Sequence, residues 1–138
     1  MKANRKNKKS GFTLVELMVV AIIVAILAAV AIPLMSGNTE RAMATEGQTG
    51  CGAVANALRM HWVEHGNYTG ISAPTDLTGL SAGDLNGTYF NDGSYDLTAT
   101  TDGDDYTITA TGIGDAANET VIMTVAGGQT TWTGTLLD

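Results

Sequence analysis

The chain has 138 residues, which is enough for one modest domain. Its formal net charge is −7, and five of its seven basic residues precede Gly11. From Phe12 onward, two arginines stand against 14 acidic residues, a net side-chain charge of −12. That charge excludes nucleic-acid binding through bulk electrostatics. The single cysteine, Cys51, excludes an intrachain disulfide.

Residues 12–32 form an apolar run in which only Thr13 and Glu16 are polar. At about 1.5 Å per residue, a helix of this length spans about 31 Å, enough to cross the hydrocarbon of a bilayer. The basic residues before the run predict a cytoplasmic N-terminus and an exported C-terminal part. A carboxylate within such a run costs several kcal/mol unless it meets a partner, so Glu16 is a candidate functional residue.

Two partners for the Glu16 carboxylate are consistent with the sequence. Lys8 and Lys9 are the nearest cations, at the cytoplasmic edge of the run. Alternatively, cleavage between Gly11 and Phe12 would create an α-amino group one helical turn from Glu16, on the same face of the helix. That amine could then neutralise the carboxylate of its own chain or that of a chain packed beside it.

The segment Gly11-Phe12-Thr13-Leu14-Val15-Glu16, with the apolar run behind it, resembles the processing site of type IV prepilins. The resemblance implies that a prepilin peptidase cuts after Gly11 and that the new Phe12 N-terminus is methylated. It implies that Glu16 then recruits and registers subunits in a filament. The implied partners are further copies of the chain, the membrane, and an inner-membrane assembly platform with its ATPase.

The same resemblance predicts the location of the protein. The precursor would span the bacterial inner membrane once, with its N-terminus in the cytoplasm. The assembled form would be a filament outside the cell or on its surface.

Other interpretations of the N-terminal segment remain open. A basic region, an apolar core and Ala29-Val30-Ala31 are typical of a Sec signal peptide, and a plain single-pass anchor has the same composition. The run is long for a signal peptide, and neither interpretation gives Glu16 a role.

The functional alternatives to a pilus subunit are a type II secretion pseudopilin and a monomeric, membrane-anchored binding module. No catalytic triad, paired carboxylate cleft or phosphate loop is evident, so the sequence predicts no enzyme.

The helical pattern continues beyond the apolar run to about His65, and Gly66 is expected to end it. Pro33 favours a kink, and the resemblance assigns it an assembly role as the point where pilin helices loosen in the fibre. Gly47, Gly50 and Gly52 each weaken a helix by about 1 kcal/mol relative to alanine, which indicates either close packing or a soft segment.

An amphipathic stripe in this second half of the helix recurs at spacings of three and four residues. Its members are Cys51, Val54, Ala55, Leu58 and Trp62. Residues 67–87 are rich in glycine, threonine, serine and aspartate, which predicts a surface loop with a helical turn near Ser81-Ala82.

Within residues 88–138 the period of the pattern changes to two. The alternating segments are 95–100, 106–111, 121–125 and 129–135. Turn residues join them, which predicts a four-stranded antiparallel meander with one apolar face. The predicted fold is α+β, a long N-terminal helix packed against this sheet. It divides into a leader (1–11), a transmembrane and assembly helix (12–33) and an exported head domain (34–138).

Two candidate sites lie in the predicted head domain. Asp102, Asp104 and Asp105 cluster in one turn, and oxygen-rich turns of this kind can hold calcium. The pseudopilin alternative implies such a site, whereas an aspartate-glycine turn between strands is also ordinary. Asn86 lies in Asp84-Leu85-Asn86-Gly87-Thr88, which resembles the acidic acceptor of bacterial oligosaccharide transferases. No other cofactor is expected.

The cysteine and the two histidines each allow two interpretations. Cys51 lies on the apolar stripe, which favours a buried thiol over an intermolecular disulfide. His61 and His65 are four residues apart and could share a metal ion, but the sequence favours two histidines at the surface or rim.

Overall fold

The computed structural model describes residues 11–99 and 105–137. Helix α1 comprises Leu14–His65, and three 3₁₀ turns are found at Pro74–Asp76 (η1), Asp92–Ser94 (η2) and Gly114–Ala116 (η3). The strands are β1 (Tyr95–Ala99), β2 (Tyr106–Thr111), β3 (Thr120–Ala126) and β4 (Gln129–Thr133). They form one antiparallel sheet of order β1-β2-β3-β4. The predicted α+β fold, with one long helix and a four-stranded meander, is confirmed.

Helix α1 is 52 residues long and stays helical on both sides of Pro33. Proline lacks a backbone N–H and so cannot donate to the Ala29 carbonyl one turn earlier. On the other side, the Ser36 hydroxyl donates to the Pro33 carbonyl at 3.1 Å. The helix ends as predicted at Gly66, which has φ +68° and donates its N–H to the Trp62 carbonyl at 2.8 Å. Glycine adopts this left-handed conformation without the steric cost of a Cβ.

Contacts divide the chain into two compact units, with the division between Gly37 and Asn38. The first unit contains the apolar half of α1. The second contains the rest of α1, the loop and the sheet, and we call it the head domain.

The core of the head domain forms where the predicted stripe of α1 meets one face of the sheet. Cys51, Val54 and Leu58 are fully buried against strand residues that alternate in period two. The strand residues are Tyr106, Ile108 and Ala110 of β2 and Val121, Met123 and Val125 of β3. Trp62, at the end of the stripe, is only partly buried. Neither layer covers its apolar face alone, so helix and sheet form one two-layer core.

Strand β4 differs from the prediction in length and in burial. It ends at Thr133, two residues early, because Gly134 (φ +129°) turns the chain and Thr135 donates its N–H to the Thr120 hydroxyl at 3.2 Å. All five of its residues are exposed, so its alternating sequence does not reflect a buried face. The turn before it, Gly127-Gly128, has φ +55° and +76°, as a two-residue hairpin requires.

The predicted surface loop is confirmed, with more local structure than expected. Residues 82–85 form a turn rather than helix, closed by the Asp84 N–H to the Ser81 carbonyl at 3.0 Å. The 3₁₀ turn η1 was not predicted, and it contacts β1.

The helix glycines have two different environments. A Cβ on Gly50 would overlap the Tyr95 hydroxyl, and one on Gly47 would lie 2.9 Å from Val121 Cγ2. A Cβ on Gly52 would meet nothing within 4 Å. Close packing therefore explains Gly47 and Gly50, whereas Gly52 leaves an uncovered strip of helix backbone.

We expect Gly50→Ala to lower the free energy of unfolding of the head domain by about 1–3 kcal/mol, because the new methyl group displaces Tyr95 from the helix. Gly52→Ala is the matched control, and it should leave stability unchanged or raise it by up to about 1 kcal/mol. Thermal unfolding of the detergent-solubilised chain, followed by circular dichroism, measures both. Equal effects of the two substitutions would contradict the packing assigned to Gly50.

Candidate functional site: the apolar segment and its glutamate

The apolar half of α1 has no protein cover in the described chain. Every large apolar side chain from Phe12 to Met35 is at least half exposed, from 50% at Val19 to 80% at Phe12. This helix is long and apolar enough to cross a membrane, a criterion that signal sequences also meet. A surface of this size does not stay in water, so lipid or protein must cover it.

Glu16 and Thr13 form a reciprocal cap at the start of this segment. The Glu16 N–H donates to the Thr13 hydroxyl at 3.2 Å, and the Thr13 N–H reaches the Glu16 carboxylate at 3.5 Å. This is the capping box of the pattern Thr-x-x-Glu, and it explains why α1 begins at Leu14 rather than at Phe12. The carboxylate is therefore turned back toward the N-terminus of the chain.

The capping role of Thr13 was not predicted. The signal was present, because a threonine followed three residues later by a glutamate before an apolar run marks a helix start. The cap places the Glu16 carboxylate near the Thr13 nitrogen, one residue from the nitrogen that cleavage would convert into the Phe12 amine.

The predicted cleavage bond lies in accessible backbone. Gly11 and Phe12 are both exposed, and neither belongs to α1. Exposed backbone outside regular elements is the preferred site of proteolysis, so cleavage of this bond does not require the helix to unwind. Pro33 is also exposed, within the same apolar surface.

The predicted calcium turn lies mostly outside the described residues, which include only Asp105. Its carboxylate accepts the Gly127 N–H at 2.9 Å. Among the described residues, no group of three or more metal-ligating side chains comes together. The calcium site therefore remains a prediction.

The prediction of two surface histidines is wrong for His61, which is only 8% exposed, and holds for His65. Their rings stack at 4.1 Å with 14° between their planes, and the His65 Nδ1 lies 3.2 Å from the His61 carbonyl. Parallel rings direct their nitrogen lone pairs alongside one another rather than toward a common ion. The pair does not form a metal site in this geometry.

Asn86 is exposed on the loop, and its side-chain oxygen accepts the Asp92 N–H at 3.0 Å. Glycosylation of Asn86 remains a prediction.

Carboxylates of the head domain accept hydrogen bonds from backbone N–H groups of the loop. Glu46 of α1 accepts the N–H groups of Tyr89 and Phe90 at 2.7 and 2.9 Å. Asp76 accepts those of Ser72 and Ala73, both at 2.9 Å, and these two bonds lower the pKa of Asp76. The acidic residues of the loop therefore have structural partners.

A concavity of about 360 Å³ lies between α1 and the loop, with Glu46, Asp84 and Tyr95 in its lining. Burial raises the pKa of Tyr95 to about 12, with smaller contributions from Cys51, Glu46 and Asp92. The phenol therefore stays neutral at physiological pH and offers no anionic ligand there.

Comparison with known proteins finds relatives that match about half of the chain. Residues 6–32 match the family model of the prokaryotic N-terminal methylation motif. Over 78 residues, the chain is 38% identical to type II secretion system core protein G of Aeromonas hydrophila, a match that covers 56% of this chain and 51% of that protein.

Pilins are also among the relatives. A fimbrial protein of Neisseria meningitidis is 36% identical over 77 residues, covering 51% of this chain and 45% of that protein. A type IV major pilin protein of Neisseria gonorrhoeae is 38% identical over 77 residues, covering 51% and 36%. The chain spans about half the length of the curated relatives it matches, or less. The resemblance to prepilins is confirmed, and the relatives include both a secretion core protein and pilins.

The environment of Cys51 predicts an inert thiol. The side chain is fully buried, which confirms the burial predicted from the stripe, and burial raises the pKa of the thiol to about 12. At pH 8 only about one thiol in 10⁴ is then ionised, and the thiolate is the reactive form.

We expect a maleimide to label the folded, detergent-solubilised chain slowly at pH 8 and the denatured chain at once. Rapid labelling of the folded chain, or a disulfide-linked dimer on a non-reducing gel, would contradict this assignment.

Proposed function

We propose that the chain is a structural subunit of a type IV pilus-like filament and polymerises through the apolar half of α1. The observation that carries the proposal is an uncovered apolar segment whose one carboxylate, Glu16, lies within a methylation motif. In the membrane, lipid covers this surface. In a filament, the helices of neighbouring copies cover it instead.

The Glu16 carboxylate gives the packing its register. Cleavage after Gly11 leaves a positively charged Phe12 amine, and the capping box already turns the carboxylate toward that end of the helix. Within a bundle of apolar helices, a carboxylate without a partner costs several kcal/mol, so the amine of one copy and Glu16 of another favour one alignment over its neighbours. Setting register is the best-attested role of a buried ion pair.

We also propose where the subunit resides at each stage and which proteins act on it. The precursor is held in the inner membrane by residues 12–33 with its leader in the cytoplasm, and a prepilin peptidase removes residues 1–11. An assembly platform with its ATPase then extracts the subunit into an extracellular or cell-surface filament. The head domain, with its closed core, forms the outer wall, and the subunit has no catalytic activity.

A second candidate is a type II secretion pseudopilin, whose short filament serves protein export. The matches to secretion core protein G favour it, since they cover a larger share of this chain than the pilin matches do. Loss of secretion on deletion, with a melting temperature that rises on adding calcium, would support this candidate over a pilus subunit. A monomeric, membrane-anchored module would instead keep residues 1–11 and form no filament.

We expect Glu16→Val and Glu16→Gln to leave the chain in the membrane and abolish filaments, because no carboxylate remains to pair with the Phe12 amine. Electron microscopy and sheared-fraction yield, in a host that carries the maturation machinery, measure the effect. Thr13→Ala is the control. It removes the hydroxyl that caps the helix but keeps the Glu16 carboxylate, so filaments should persist.

Two outcomes would overturn the pairing role of Glu16. Normal filaments from the Glu16 variants would show that register does not need the carboxylate. Loss of filaments in Thr13→Ala to the same extent would assign the effect to the helix cap.

A further inference from the structure

The two arginines of the head domain, Arg41 and Arg59, lie on one face of α1. Arg41 and Arg59 are 18 residues apart, which is five turns of helix and about 27 Å. Four other residues of α1 lie within the same sector of about 60° around the helix axis, namely Thr45, Gly52, Asn56 and Val63. We call these six residues the arginine face. They carry no negative charge, and all lie within the head domain.

Both arginines are exposed, and neither forms an ion pair with any described residue. The one side-chain bond of Arg59 is to the neutral Asn56 amide oxygen at 3.3 Å. The acidic residues of this part of α1, Glu40, Glu46 and Glu64, lie about 80° or more outside the sector. The arginine face is therefore a positive surface on a strongly acidic domain, and the acidic Glu64 lines one concavity beside Arg59 and Val63.

The end of the arginine face at Arg59 and Val63 has the surface features of a protein–protein interface. Val63 is 84% exposed, more than any other large apolar side chain in the described chain. It forms a ridge with Arg59 between two concavities of about 320 and 340 Å³. The first concavity is walled by aromatic rings, with Trp62 and Tyr68 at 5.0 Å and Tyr68 and Tyr106 at 6.0 Å between centroids. Arginine beside aromatic and apolar surface is the composition of interface centres.

The charge of the chain identifies the partner of this surface. In the proposed filament, head domains with a side-chain charge of −11 lie side by side, and their mutual repulsion opposes assembly. Beyond Lys9, Arg41 and Arg59 are the only arginine or lysine side chains available to offset it. The head domain also presents acceptors, since Asp96 on β1 and Asp115 on η3 are exposed and bind no described residue.

We propose that the arginine face binds the acidic surface of the head domain of a second copy of this chain. Carboxylates of that copy pair with Arg59 and Arg41, and apolar surface of that copy covers Val63. Gly52, without a side chain, lets the neighbouring chain approach the helix backbone closely. The inference rests on the proposed function, because it requires copies held side by side.

The first test compares charge variants of the full chain in the assembling host. Arg59→Gln should lower the yield of sheared filaments several-fold and Arg59→Glu at least tenfold, whereas Arg59→Lys should retain most of it. Thr133→Glu is the matched control, since it makes the chain more negative by one charge, as Arg59→Gln does, on exposed β4. Wild-type yield from Arg59→Glu, or equal losses in Arg59→Gln and Thr133→Glu, would overturn the inference.

The second test identifies the occupant directly. A photo-crosslinking benzoylphenylalanine at position 63, irradiated in assembled filaments, should give a product with the mass of two copies of this chain. A product with a different protein, or none in intact filaments, would overturn the inference. These failures leave the proposed function standing, whereas failure of the unsubstituted chain to be cleaved and to form filaments would remove the proposed function itself.

Discussion

The structure depends on one constraint, that the apolar half of α1 has nothing of its own chain to cover it. The large apolar side chains from Phe12 to Met35 are half exposed or more, while the head domain closes its own core around Cys51, Val54 and Leu58. Burial of apolar surface contributes about 25 cal/mol per Å² relative to water. The apolar half of α1 must therefore be covered. For a helix of membrane length, either lipid or neighbouring helices can cover it.

Transfer of the apolar segment from lipid into a bundle of neighbouring helices yields little free energy by itself, since lipid tails are as apolar as leucine side chains. Specific polar interactions must then decide when and how the copies pack. In our account the carboxylate of Glu16 and the two arginines of the head domain act at separate places on α1. The first aligns the apolar segments, and the second reduces repulsion between acidic heads.

Much of this could be predicted from the sequence, because in α1 and in strands β1–β3 the apolar periodicity coincides with the buried face. The 21-residue apolar run, the stripe from Cys51 to Trp62 and three of the four strands appear where the pattern placed them. Strand β4 differs because its alternating sequence lies at an exposed edge, where pattern and burial are unrelated. The roles of Gly50 and His61 depend on which distant residues pack against them, and local sequence does not carry that information.

The most direct measurement is the mass of the chain recovered from filaments sheared off the cell surface. We expect a protein that begins at Phe12, with one methyl group on its terminal nitrogen and residues 1–11 absent. A surface-exposed chain that still begins at Met1 would leave Glu16 without the amine it is proposed to pair with. That result would contradict the polymer interpretation.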